Sequence, residues 1–180
     1  MSAKKFMIDS SIDYTKIKLQ KPEPMQGGGF RIKIMYDTNE PIYLQLPNCT
    51  TKQGITTTKK TKYSDLLYDA NLEELNTWIE TFQNFCIDYI HSKASLWFFS
   101  ELTRDEIETM TTPMSRIYKS GKKILIRVGI EVDKNTKDDR FLLYDEKGNT
   151  KPIEELTHDR TCTPLIHLDA LKFSQNMFSF

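Results

Sequence analysis

The sequence carries no net charge: 25 lysines and arginines balance 25 aspartates and glutamates over 180 residues. Whole-molecule charge therefore announces neither a nucleic-acid nor a membrane partner, and any electrostatic argument has to be local. Cysteine is scarce. Cys49, Cys86 and Cys162 are widely spaced, odd in number and without a Cys-x-x-Cys pair, a pattern that suits reduced intracellular thiols better than a secreted disulfide framework. Long apolar runs are missing too. The opening "MSAKKFMIDSSIDYTK" has no stretch of signal-peptide length, and nowhere does the chain offer the roughly 18 apolar residues of a membrane span. A soluble, untargeted chain with one ordinary core is expected.

Catalytic signatures are also lacking. There is no Gly-x-Ser-x-Gly, no Walker loop and no Gly-x-Gly-x-x-Gly, and "QGGGF" precedes a strand pattern instead of joining a strand to a helix, so it reads as a flexible joint. His158, Cys162 and His167, with Cys49, match no common zinc spacing. "DKNTKDD" at 133–139 lacks the sixth-position glycine and the terminal glutamate of a calcium loop and reads as a hairpin tip. The expectation is a non-enzymatic protein with no cofactor and no metal. No repeat recurs at solenoid periods.

What is present is organised. Residues 1–29 hold charges, Pro22, Pro24 and Gly27-Gly28-Gly29, which reads as a flexible N-terminal arm, with a single domain over 30–180. "FRIKIMYD" and "IYLQLP" alternate with the period of half-buried strands and, with "TNEP" between them, read as a hairpin. "GITTTKKTKYSDLLYD" is rich in β-branched residues and predicts a strand or a long hairpin arm. Asn71 and Glu74 have capping-box spacing, and Leu72, Leu75, Ile79, Phe82, Cys86 and Tyr89 follow at three-and-four intervals, predicting a helix of about six turns near 71–94. Thr103 and Glu106 open a shorter helix, and Trp97-Phe98-Phe99 reads mostly as helix packing. Strands return after Pro113: a hairpin around Ser120-Gly121, a turn at Lys147-Gly148-Asn149, and a last pair in "TPLIHLDALKFSQNMFSF". Strands, helices, then strands exclude the doubly wound α/β class. The order predicts a mainly β fold with a helical insertion, an OB-fold-like antiparallel barrel with one long amphipathic helix; a generic α+β sandwich fits nearly as well.

Charge is divided along this neutral chain. Ten acids fall between Asp65 and Glu108, against Lys93 and Arg104. Lys52, Lys59, Lys60 and Lys62 lie in a stretch with no acid from Pro41 to Ser64, and Arg116, Lys119, Lys122, Lys123 and Arg127 in another from Thr109 to Ile130. Tyr63 adjoins Lys62, and Tyr118 lies between Arg116 and Lys119. Rings offer bases a stacking surface at about 1–3 kcal/mol each, and cations neutralise phosphates without reading sequence, so these residues are the candidate nucleic-acid interface. Alternating Lys and Thr also keeps a strand edge soluble, with the tyrosines as rim packing, and that reading weighs equally on composition.

From Lys59 onward the order of elements resembles the single-stranded DNA-binding proteins of the bacteriophage T-seven type, including relatives in large eukaryotic DNA viruses. The stretches that carry the likeness are "LYDEKGNTKPIEEL" at 143–156, similar to a hairpin turn of that family, and "KILIRVGIEVDKNTKDDRF" at 123–141, an apolar strand running into a charged tip. The resemblance implies an OB-fold, sequence-tolerant binding of single-stranded DNA in viral replication and recombination, replication proteins as partners, and homo-oligomer formation in an infected cell. Abundant Lys, Asn, Ile and Thr suit an AT-rich viral genome. The family's acidic tail with its terminal aromatic residue has no counterpart in "NMFSF", so tail-dependent contacts do not carry over. The alternative expectation is a virion structural or assembly protein, whose basic strands meet acidic protein neighbours.

Overall fold

A computed structural model of the chain describes residues 4–8, 12–59, 61–98, 101–133, 135–136, 139–174 and 176–180. In chain order the first strands are β1 (Lys4–Met7), β2 (Ile17–Leu19), β3 (Glu23–Pro24), β4 (Phe30–Tyr36), β5 (Ile42–Gln45), β6 (Cys49–Thr57) and β7 (Lys62–Asp69). Two helices follow, α1 (Glu73–Phe98) and α2 (Arg104–Thr109). Then come β8 (Ser115–Tyr118), β9 (Lys123–Gly129), β10 (Leu143–Tyr144), β11 (Thr150–Lys151), β12 (Thr161–Cys162), β13 (Leu165–His167), β14 (Ala170–Ser174) and β15 (Met177–Ser179). The protein is mainly β, with several antiparallel sheets and one long helix; among the described residues no sheet closes into a barrel. Backbone contacts divide it into two compact units, one formed by 1–47, 73–114 and 165–180, the other by 48–72 and 115–164.

In the first unit β15-β14-β4-β2 form one antiparallel path, with β3 also on β4, and β1-β5-β13 form a second sheet in which β1 runs parallel to β5. The alternation in "FRIKIMY" does what its period dictates: Ile32, Ile34 and Tyr36 are buried while Arg31, Lys33 and Met35 stay partly exposed. The pairing differs from a hairpin. β4 does not pair with β5, whose two edges are taken by β1 and β13; the only contact of hairpin type is an isolated bridge from Tyr36 to Glu40, ahead of β5, among the described residues. Residues expected in a flexible arm supply strands instead, because Ile17 and Leu19 repeat the strand period and are almost wholly buried against β4. Pro22 and Pro24 break this segment without freeing it.

Helix α1 buries Leu75, Trp78, Ile79, Phe82, Cys86, Ile87, Ile90 and Ala94; Leu75, Ile79, Phe82 and Cys86 belong to the stripe read from the spacing, whereas Leu72 precedes the helix and Tyr89 is half-buried. It starts two residues after Asn71 and continues beyond 94, because Phe98 still has a place to pack: its ring is 5.2 Å from Phe173 and 5.9 Å from Phe178. Phe99 lies outside the described residues. Phe82 stacks on Trp78 at 5.3 Å and meets Phe180 at 6.0 Å. Helix α2 begins with the expected capping box, in which the Thr103 hydroxyl accepts from the Glu106 amide and the Glu106 carboxylate accepts from the Thr103 amide. Arg104 then ties α2 to α1, donating to Asp88 at 2.7 Å and Asn84 at 2.8 Å. Thr103→Ala is expected to cost about 1 kcal/mol in urea unfolding, and Thr103→Ser much less, since only the hydroxyl acceptor matters to the cap.

The second unit is a five-stranded antiparallel sheet in the order β12-β6-β7-β9-β8, with a separate β10-β11 hairpin. The threonine and lysine stretch is the hairpin β6–β7, closed at its tip where the Thr58 amide donates to the Thr61 carbonyl at 2.8 Å. A bulge between Thr51 and Ile55 interrupts its register. Gly54 sits in that bulge at φ +69°, where a Cβ would lie 2.0 Å from the Leu156 carbonyl oxygen. The buried Thr51 hydroxyl donates to the Thr157 carbonyl at 2.5 Å and accepts from the Arg160 amide at 3.1 Å. Residues 156–160 therefore lie directly on β6, and the bulge is the place where backbone meets backbone.

Candidate nucleic-acid interface

Strand register decides which of the predicted residues share a face. Asp65 opposes Arg127, Leu67 opposes Leu125, Asp69 opposes Lys123, and Tyr63 opposes Gly129. On the other side of β9, Lys123 opposes Tyr118 and Leu125 opposes Arg116. Directly opposed side chains stand on the same face, so Tyr63, Arg116, Tyr118, Lys123 and Arg127 belong together. Lys52 joins them, with its ammonium 4.8 Å from the Tyr118 ring centroid. Two segments far apart in sequence thus meet on one sheet face, because β9 pairs with β7 on one edge and with β8 on the other.

The rest of the predicted set is distributed differently. Lys62 opposes Thr57 on β6 and occupies the other face, where it pairs with Asp139. Lys59 is exposed at the tip of the β6–β7 hairpin, and Lys60 lies outside the described residues. Lys119 and Lys122 are exposed in the β8–β9 turn, with the Lys119 ammonium 6.0 Å from the Tyr118 ring.

The face also holds two acids that a count by sequence segment assigns to the helical insert. Asp65 and Asp69 belong to β7. The Arg127 guanidinium donates to the Asp65 carboxylate at 2.7 and 2.9 Å and lies over the Tyr63 ring at 3.8 Å. Those hydrogen bonds hold the Arg127 guanidinium above its ordinary range, so it is permanently charged. Asp65 itself is buried, with Leu67 and Leu125 beside it. Lys123 donates to Asp69 at 2.7 Å, an exposed pair worth little. The signal was present in "YSDLLYD": a period of two puts Tyr63, Asp65, Leu67 and Asp69 on one side.

Among the described residues Lys52, Lys59, Arg116, Lys119 and Lys122 form no ion pair. These cations have no carboxylate to displace before they meet a phosphate. Arg127 and Lys123 do. The tyrosines are already partly engaged, since a cation lies against each ring, which fixes the rings in place at about 0.5–1 kcal/mol per contact. The face therefore presents two tyrosine rings with Lys52 and Arg116 outside any ion pair among the described residues, and with Lys123 and Arg127 paired to Asp69 and Asp65. No group of three His, Cys, Asp or Glu side chains is arranged to hold a metal among the described residues. No helix there is long and apolar enough to cross a membrane.

No protein-family model, curated protein or solved structure matches this chain.

Proposed function

We propose that the β6-β7-β9-β8 face binds single-stranded DNA without sequence preference, as a non-enzymatic coat for displaced strands in viral replication and recombination. The observation that carries this reading is the convergence of Lys52, Tyr63, Arg116, Tyr118, Lys123 and Arg127 on one side of one sheet, with Lys119 and Lys122 exposed in the adjoining β8–β9 turn. Phosphates would meet the unpaired cations, and bases the tyrosine rings. The OB-type reading belongs to this proposal. It is supported by a five-stranded antiparallel sheet with the helical segment inserted between β7 and β8. The likeness to the T-seven type proteins read from the sequence belongs to this proposal as well; the stretch at 143–156 holds the β10-β11 hairpin, in whose turn Asp145 accepts from the Lys147 and Asn149 amides. Its setting would be the infected cell, with viral replication proteins as partners.

One observation favours the alternative, a virion assembly protein. Ile117 is 81% exposed on β8, the edge strand of the same sheet, where a partner strand has room to pair. The two readings separate in a fluorescence titration with oligo-dT across salt concentrations. Single-strand binding falls with a log-log slope of about −0.7 per phosphate neutralised, so Arg116→Ala, Lys119→Ala and Lys122→Ala together are expected to reduce the slope by about 2. An unchanged slope moves the site elsewhere. No binding even at about 50 mM salt, where electrostatic attraction is strong, favours the assembly reading.

A further inference from the structure

We propose that Cys49 and Cys162 are a disulfide-forming pair, closed by a low-molecular-weight disulfide of the glutathione class and reopened by thiols. Strand β12 runs antiparallel to β6 with Cys162 directly opposite Cys49, and the two sulfurs are 3.7 Å apart. Directly opposed residues of an antiparallel pair have Cα atoms about 4.5–5.5 Å apart, inside the roughly 4.4–6.8 Å that disulfides span. Closure therefore needs side-chain rotation and no backbone shift. In sequence the residues are 113 apart, which is why spacing alone reveals nothing of the pair.

The chemistry has a direction. Cys49 is buried and Cys162 partly exposed, so a solution oxidant reaches Cys162 first. The hydrogen bond between the thiols holds Cys162 below its ordinary range and, with burial, pushes Cys49 up. The Cys162 thiolate attacks one sulfur of oxidised glutathione, forming a mixed disulfide and releasing a glutathione thiolate. Cys49, losing its proton to solvent, then attacks the Cys162 sulfur and expels the second glutathione thiolate. Two protein thiols are oxidised and one glutathione disulfide is reduced to two thiols. Cys86 takes no part, since it is buried in α1 and burial pushes its thiol up. The bond would clasp the edge strand β12, and the segment that returns over the bulge, to β6.

The test treats the full chain with oxidised glutathione in mildly alkaline buffer, followed by intact mass, peptide mapping and a urea midpoint. The expected product has lost two hydrogens, shows one peptide joining residues 49 and 162, leaves only Cys86 to be alkylated after denaturation, unfolds at higher urea, and reverts with dithiothreitol. Cys86→Ser is expected to form the same cross-link with no thiol left to alkylate and the same rise in urea midpoint relative to its own reduced form, while Cys162→Ser gives no closure and no midpoint shift. A glutathione adduct persisting on Cys162 with Cys49 still alkylatable, a cross-link through Cys86, or no reaction overturns the proposal. None of these readouts involves DNA, so the outcome is independent of the binding reading.

Discussion

Gly54→Ala is expected to lower the urea stability by about 2–5 kcal/mol. Two costs combine. Alanine at a left-handed φ of +69° is strained by about 1–2 kcal/mol. Its Cβ would also stand 2.0 Å from the Leu156 carbonyl oxygen and 3.0 Å from the Thr157 Cα, both backbone atoms that no side-chain rotation can clear, and overpacking of that kind adds about 1–3 kcal/mol. Gly148 is the control. It has φ +82° in the β10-β11 turn and nothing within 4 Å of the place a Cβ would take, so Gly148→Ala should show the strain alone, about 1–2 kcal/mol. Equal losses at the two sites would mean that the 156–160 segment does not lie on the bulge.

Arg127→Met is expected to destabilise the protein by about 2–3 kcal/mol, while Asp65→Asn costs clearly less. The asymmetry follows from burial: the Arg127 side chain is 45% exposed but Asp65 only 9%. Removing the arginine strands a buried carboxylate whose hydrogen bonds both came from that side chain. Removing the aspartate charge leaves a cation that water can solvate. The same geometry makes Arg127 a poor probe of binding, because lost affinity in that variant is confounded with lost fold. Arg116, Lys119 and Lys122 carry no such penalty. Similar losses for the two variants in urea denaturation would contradict the burial assigned to Asp65.

Local periodicity was legible in the sequence and pairing was not. The three-and-four spacing from Leu75 to Ile90 marked the stripe that α1 buries, and Thr103 with Glu106 marked a cap that forms. Both signals are intrinsic to a few consecutive residues. Whether β5 pairs with β4 or with β1 and β13 depends on segments far away, and nothing in "IYLQLP" specifies its neighbours. The candidate face shows the same division. Charge and aromatic content are compositional, so Tyr63, Tyr118 and the basic residues could be named from the sequence, but which of them share a face could not; register brings together Lys52, Arg116, Lys123 and Arg127. That Lys62 faces the other way, and that Asp65 and Asp69 face the same way as Arg127, follows only from the register of β6, β7 and β9. Cys49 and Cys162 are the extreme case, adjacent in the sheet and unrelated in the sequence.

The central claim, that one face of the five-stranded sheet receives single-stranded DNA, is tested most directly by photocross-linking the full chain to an iodouracil-substituted oligonucleotide and mapping the adducts by mass spectrometry. Adducts at Tyr118 and Tyr63, suppressed by rising salt, are the predicted result. Adducts confined to the first unit, at Trp97 or Tyr43 for example, would contradict it.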